Sequence, residues 1–393
     1  MTMQEKIRPG YKQTEVGVIP EDWTVQRLGS VSDQKAPIRY GVVQIGPDVA
    51  DGVPIVPIKY VKEIASAHLH RSAKSIEEKY SNSRIRGSDV LISVKGTIGR
   101  VGVVPEGFEG NIAREIARIR LRDGFSPTFV ASQLESDETQ RRILEAVVGT
   151  TRLEFSIAAV RSFQVAVPAS LQEQNAIAEA LSDADSRIAA LEALIAKKRD
   201  FKQAAMQQLL TGKTRLPGFS GDWEVQRLGE FAQFLSGTYL AKPAYRPGAV
   251  IVQGAGAAMG EHNTANFPFA ITVIGRVGTV GRPRFMPGGC WVNNNAAAIR
   301  ALPSESDPRF VHLLLTQYDW SLATSVTAQP FLGIGTLMGS THRLPPKAEQ
   351  TAIAEVIFDM DAELSSLEAE ADKARAIKQG MMQNLLTGKV RLV

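Results

Sequence analysis

Eight residues recur almost unchanged 200 positions apart: DWTVQRLG begins at Asp22 and DWEVQRLG at Asp222, with seven identities in eight. A fixed-period repeat constrains architecture before any local propensity does, because each copy must fold as the same unit. Two further pairs follow. EQNAIAEAL from Glu173 returns as EQTAIAEVI from Glu349, and LLTGKTRL from Leu209 returns as LLTGKVRL from Leu385, both 176 residues later. The chain is therefore two tandem copies, each a variable globular part followed by a nearly invariant helical part.

The helical parts are defined by periodicity. Ile177, Leu181, Ala184, Ile188, Leu191 and Ile195 step by 4, 3, 4, 3 and 4, an a/d heptad seam. Ile353, Ile357, Met360, Leu364, Leu367 and Ala371 repeat it in the second copy. Ser170 and Glu173 have capping-box spacing at the first start, Pro345 and Pro346 precede the second, and Gly212 and Gly388 are placed as C-terminal caps. Acids (Glu179, Asp183, Asp185) occupy the first half and bases (Lys197, Lys198, Arg199, Lys202) the second, matching the macrodipole. Two such helices pair their charges best when antiparallel. From Gln172 to about Leu210, at 1.5 Å per residue, each helix spans about 58 Å. Direct repeats on an antiparallel pair predict globular parts at opposite ends, related by a pseudo-twofold axis.

The globular parts read as short strands in loops, with DVLISV (Asp89 to Val94), RVGVV (Arg100 to Val104) and AITVI (Ala270 to Ile274) as examples. Helices are expected over 127–148 and 308–324. The fold class expected is α/β (α+β): two mixed globular domains separated by two long antiparallel coiled-coil helices in a pseudo-twofold tandem repeat. The lone cysteine, Cys290, forbids an intrachain disulfide, the N-terminus has no apolar leader, and no 18-residue apolar stretch exists. Those features point to a cytoplasmic protein with no membrane span.

Enzymatic signatures fail on inspection. TGKT at Thr211 to Thr214 resembles the tail of a phosphate-binding loop, but Gln207 stands where that loop needs glycine. GTIGRVG from Gly96 and the similar GRVGTVG from Gly275 read as tight β-turns rather than dinucleotide loops. The five histidines and one cysteine show no metal-ligand spacing. No catalytic residue and no metal site are expected.

Positive charge is instead concentrated locally. From Arg84 to Arg122 eight Lys/Arg face four acids; from Phe267 to Arg300 there are four arginines, no acid, and the run Asn293, Asn294, Asn295. Phosphates require Lys or Arg, and base edges are read by bidentate groups such as Arg on guanine and Asn on adenine. Lys95, Arg100, Arg114 and Arg118 form the first candidate DNA-binding set, and Arg276, Arg282, Arg284 and Asn293 the second. Each arginine also has a plain reading as a solvated surface charge. Thr151 and Arg152, in GTTRLEFS, either contact a nucleic-acid backbone or belong to a loop capped by hydroxyls. Trp23 and Trp223, at matched positions, read as core anchors.

The paired DWxVQRLG starts, EQxAIAE helix starts and LLTGKxRL ends together resemble the specificity (S) subunits of type I restriction-modification enzymes, over essentially the whole chain. The resemblance implies a leader (1–19), a first target recognition domain (20–168), a helical spacer (169–216), a second recognition domain (217–344) and a second spacer (345–393). It further implies that each domain reads half of an asymmetric, bipartite double-stranded DNA target. The helix seams (Ile177, Leu181, Ile188, Leu191, Ile195; Ile353, Ile357, Met360, Leu364, Leu367) would set the gap and dock two methyltransferase (M) subunits. Restriction (R) subunits would complete the complex. S-adenosylmethionine, ATP and Mg are then expected on the partner subunits, with no cofactor on this chain. The alternative is a coiled-coil scaffold whose end domains bind proteins.

Overall fold

A computed structural model describes residues 7–147, 153–325 and 330–392. The chain divides into two units, one of residues 1–191 with 370–393 and one of residues 192–369. The two long helices, Leu171–Leu209 and Lys347–Leu385, are each 39 residues long and contribute one half to each unit.

The first unit holds an antiparallel four-stranded sheet in the order Arg39–Tyr40, Ile116–Ile119, Val90–Ser93, Val101–Val103. A second sheet runs Arg71–Ser72, Val53–Val56, Glu109–Ile112, Ile85–Arg86. Strand Gln164–Val167 pairs with Thr24–Arg27, the TVQR at the middle of the first DWTVQRLG motif. The second unit repeats the plan. Its first sheet is ordered Ala232–Ser236, Ala296–Ala301, Ile271–Gly275, Gly281–Met286, its second Ala258–His262, Val250–Gln253, Trp291–Val292, and Glu224–Arg227 pairs with Thr341–Leu344. The mixed fold with antiparallel long helices is as expected from sequence.

The short helices expected over 127–148 are two. Pro127–Glu135 ends where Ser136 turns extended (ψ 143°), and the Ser136 hydroxyl accepts the Thr139 N–H to start Asp137–Glu145. An internal N-cap separates them. Likewise Pro308–Gln317 stops short of 324, followed by the 3₁₀ turn Trp320–Ala323.

Within each unit the two long helices run antiparallel. In the first, Asp185 meets Lys378 at 2.6 Å and Arg187 meets Glu370 at 2.7 Å, partners falling in number as the first helix rises. In the second, Lys198 meets Glu363 (2.7 Å) and Lys202 meets Asp361 (2.5 Å). Asp185 and Lys378 occupy the repeat positions of Asp361 and Lys202, so one ion pair is made twice. Along the seams Ile177, Leu181, Ile195, Ile353, Ile357 and Leu364 are buried, whereas Ile188, Leu191, Met360 and Leu367 are half-buried.

The invariant motifs meet in one tertiary knot per unit. Ser170 caps the first helix through the Glu173 N–H (3.4 Å), but the Glu173 carboxylate does not close the expected capping box. It accepts from Arg391 (Nε 2.5 Å, Nη2 2.8 Å), which also binds Asp22 and lies 6.0 Å from the centre of the Trp23 ring. Arg391 holds the Asp22 carboxyl below its ordinary range, chiefly by hydrogen bonding. In the second unit Arg215 binds Glu349 (2.5 and 2.6 Å) and lies 5.6 Å from the centre of the Trp223 ring, whose Nε1 donates to Glu349 at 3.2 Å. The neighbouring glutamines match as well. Gln174 accepts the Ser126 N–H and donates to Pro168 O, while Gln350 accepts the Asp307 N–H and donates to Pro345 O. The EQ and TGKxRL motifs thus make the same buried contacts twice beside the tryptophan of each DW, whose indole differs between the units: Trp223 Nε1 donates to Glu349, whereas Trp23 Nε1 is buried without a hydrogen-bond partner among the described residues. Trp23 and Trp223 are core anchors, 0% and 6% exposed.

His312 offers a pH test of the second unit. It packs between Phe285 (5.6 Å) and Phe358 (6.2 Å) with a buried, unpartnered Nδ1, and burial, helped by Lys202 and opposed by Asp361, lowers its pKa to about 4. Because the folded pKa lies below the unfolded value of 6.5, this contribution is complete above 6.5 and lost as pH falls toward 4. Roughly 3 kcal/mol is at stake. His312→Phe should flatten the acid limb of a melting-temperature profile over that window; an unchanged limb would remove His312 as its cause.

Candidate nucleic-acid interface

In both units a glycine-rich turn joins the third and fourth strands of the first sheet, and structure sets its register. The Val94 and Lys95 N–H groups donate to Glu115 O, and those of Arg276 and Val277 donate to Asn295 O. Lys95 therefore matches Val277, and Gly96-Thr97-Ile98-Gly99-Arg100 matches Gly278-Thr279-Val280-Gly281-Arg282. Positive φ supports this alignment: 69° and 88° at Gly96 and Gly99, 78° and 81° at Gly278 and Gly281. Left-handed backbone at both positions favours glycine. Reading GTIGRVG against GRVGTVG gets the turns right and their register wrong by three residues.

The alignment places two exposed arginines, Arg100 and Arg282, at equivalent positions, and neither guanidinium has a partner among the described residues. Arg276 is half-buried and likewise unpaired. Lys95 lies 4.4 Å from the centre of the Tyr40 ring and 3.5 Å from Glu154, which also accepts a hydrogen bond from the Tyr40 hydroxyl. Burial, then Glu154, pushes the Tyr40 phenol up to about 12. Arg114 is exposed but paired with Glu115 at 2.8 Å. The first surface is thus partly neutralised, whereas no acid interrupts 267–300 in the second.

Three expectations are corrected. Arg118 is 2% exposed, its guanidinium donating to Arg84 O (3.0 Å) and Pro37 O (2.9 Å), with burial lowering its pKa. It ties its strand to the connecting segments at Arg84 and Pro37 and offers no surface. Asn293 is 3% exposed, its Nδ2 directed at Leu240 O and its Oδ1 accepting the Asn294 N–H. The exposed carboxamides are those of Asn294 and Asn295, at the positions of Arg114 and Glu115. The triplet was visible in sequence, but only strand register decides which member faces out. Arg284 is half-buried and donates to Gly256 O. Thr151 and Arg152 lie outside the described residues. What brackets them is described: Glu154 bridges Lys95, as Phe331 bridges Val277 in the second unit.

A family model described as the type I restriction modification DNA specificity domain matches residues 20–197 and 220–375, one match per repeat. The chain belongs to this family. Among relatives of the specificity-domain family, the chain is 32% identical over 163 residues to the type I restriction enzyme EcoBI specificity subunit of Escherichia coli, covering 41% of this chain and 34% of that protein. It is 23% identical over 431 aligned residues to the putative type I restriction enzyme MjaX specificity subunit of Methanocaldococcus jannaschii, covering 97% of each. In fold it is similar to the S subunit of a type I restriction-modification system from M. genitalium, with TM-score 0.65, 18% identity, and 98% and 99% of the two chains covered. A second structure, from a study of assembly and conformational transition in a type I system, matches with TM-score 0.56 at 17% identity over 95% of this chain and 99% of that one. Among the described residues no helix is long and apolar enough to cross a membrane.

Proposed function

We propose that the chain is the sequence-reading subunit of a type I restriction-modification complex, each unit reading one half of a bipartite double-stranded DNA target. The observation that carries this is the pair of equivalent Gly-Thr-x-Gly-Arg turns, each presenting a free arginine on the same two-sheet framework. Because the surrounding side chains differ, the half-sites differ and the target is asymmetric. The long helices set the gap and dock two methyltransferase subunits, which carry S-adenosylmethionine; restriction subunits add ATP- and Mg-dependent steps. This chain contributes recognition rather than catalysis, in the cytoplasm where its DNA lies.

The contact set we propose is Lys95, Arg100 and Arg114 in the first unit and Arg276, Arg282, Asn294 and Asn295 in the second. A single-molecule methylome of the host, with and without the gene, tests the role directly. Deletion should erase one interrupted, asymmetric adenine-methylated motif; binding of a neighbouring methyltransferase with no duplex recognition would favour the scaffold reading instead. The turns have their own test. Arg100→Ala and Arg282→Ala should each lower the slope of log affinity against log salt by about 0.9, and the double variant by about twice that, in the complex assembled with its methyltransferase subunits. An unaltered slope would take both arginines off the phosphates.

A further inference from the structure

Phe331 stands 51% exposed beside the second Gly-Thr-x-Gly-Arg turn, paired across strands with Val277. Folding does not explain its ring. The segment is held by backbone: Gly278 N–H to Pro330 O (2.8 Å), Leu332 N–H to Arg276 O (2.9 Å) and Ser325 N–H to Phe331 O (3.0 Å). The Phe331 N–H adds a bond to the Ser325 hydroxyl at 2.9 Å. At the equivalent place in the first unit stands Glu154, satisfied by Lys95 and Tyr40. There the cross-strand pair is Lys95 with Glu154, closed and ionic; here it is Val277 with Phe331, apolar and open to solvent.

An exposed phenyl ring beside a turn that carries arginines loses its hydration cost only against an apolar surface, and the partner that also satisfies those arginines is a polyanion with apolar interior faces. Duplex DNA has both: phosphates for Arg276 and Arg282, and base faces and thymine methyls for a ring. Resting on the DNA-reading proposal, we infer that Phe331 is a specificity-determining residue of the second half-site, contacting one base step while the neighbouring arginines hold the backbone. The corresponding position in the first unit carries a different chemistry, so the two halves select different bases by the same turn.

The test is selection from a randomised duplex library by the full chain assembled with its methyltransferase subunits. Phe331→Ala should blur preference at one or two adjacent base pairs in one half-site and weaken binding to the target about tenfold, a typical cost of one lost base contact. The salt slope and the melting temperature should stay the same, because neither charge nor backbone pairing is lost, and Phe331→Tyr should retain the preference. A Phe331→Ala profile identical to that of the parent, or uniform loss in both half-sites with a lowered melting temperature, would overturn the assignment while leaving DNA reading intact. Selection of no sequence by the unsubstituted complex would overturn both.

Discussion

Arg215→Ala should destabilise the second unit by about 3 kcal/mol, and Arg391→Ala should do the same to the first. In each case the variant strands a carboxylate that has no access to water: Glu349 is 0% and Glu173 2% exposed. Glu349 would keep only the Trp223 indole, since both arginine bonds, 2.5 and 2.6 Å, vanish. Breaking one side of a buried pair costs more than the pair itself is worth, because the remaining charge is uncompensated. At this unit size the melting transition should fall by roughly 6–12 °C. The double variant Arg215→Ala with Glu349→Gln should recover part of the loss, since an amide costs less to bury than a charge. Deleting residues 391–393 should mimic Arg391→Ala, as Arg391 joins Glu173 and Asp22. Calorimetry checks this; an unchanged transition in both single variants would show that the knots do not hold the units.

Gly41→Ala and Gly237→Ala should each cost more than about 3 kcal/mol and disable the reading surface of their own unit. A Cβ at Gly41 would lie 1.8 Å from Ile112 O, and one at Gly237 2.1 Å from Asn293 O. Both clashes are with backbone, which cannot swing aside as a side chain does. The same close approach is marked by Val42 N–H to Ile112 O (2.7 Å) and Thr238 N–H to Val292 O (2.9 Å). Gly41 adjoins Tyr40, and the strand opposite Gly237 leads into Asn294 and Asn295, so relief of the clash displaces the proposed contacts. Gly335→Ala, in the helix Ile334–Gly339 with open space around its Cβ, is the neutral control. Duplex selection with each variant should show loss of a different half-site; retention of both at parental affinity would mean the strands tolerate the shift.

Much of this architecture is one-dimensional and so was readable. The tandem repeat, the heptad seam from Ile177 to Ile195 and its copy, and the glycine-bearing turns all depend on neighbours within a few residues. The two long helices extend within one residue or so of the bounds that periodicity predicts. Antiparallel pairing was also legible, since acids and bases are segregated along each helix.

What sequence by itself determined is therefore the repeat, the helices and the general location of basic charge. Only the tertiary structure decided which charges remain free. Arg118 and Arg100 look alike in the chain, yet one lies within a central strand with carbonyls in reach and the other follows a left-handed glycine into solvent. Asn293 and Asn294 are neighbours, but a bridge to Gln253 buries the first and leaves the second outside. Glu173 has capping-box spacing and instead meets an arginine 218 residues away. In each case strand register or a long-range ion pair chooses the side chain's partner, and neither is encoded in the spacing of nearby residues.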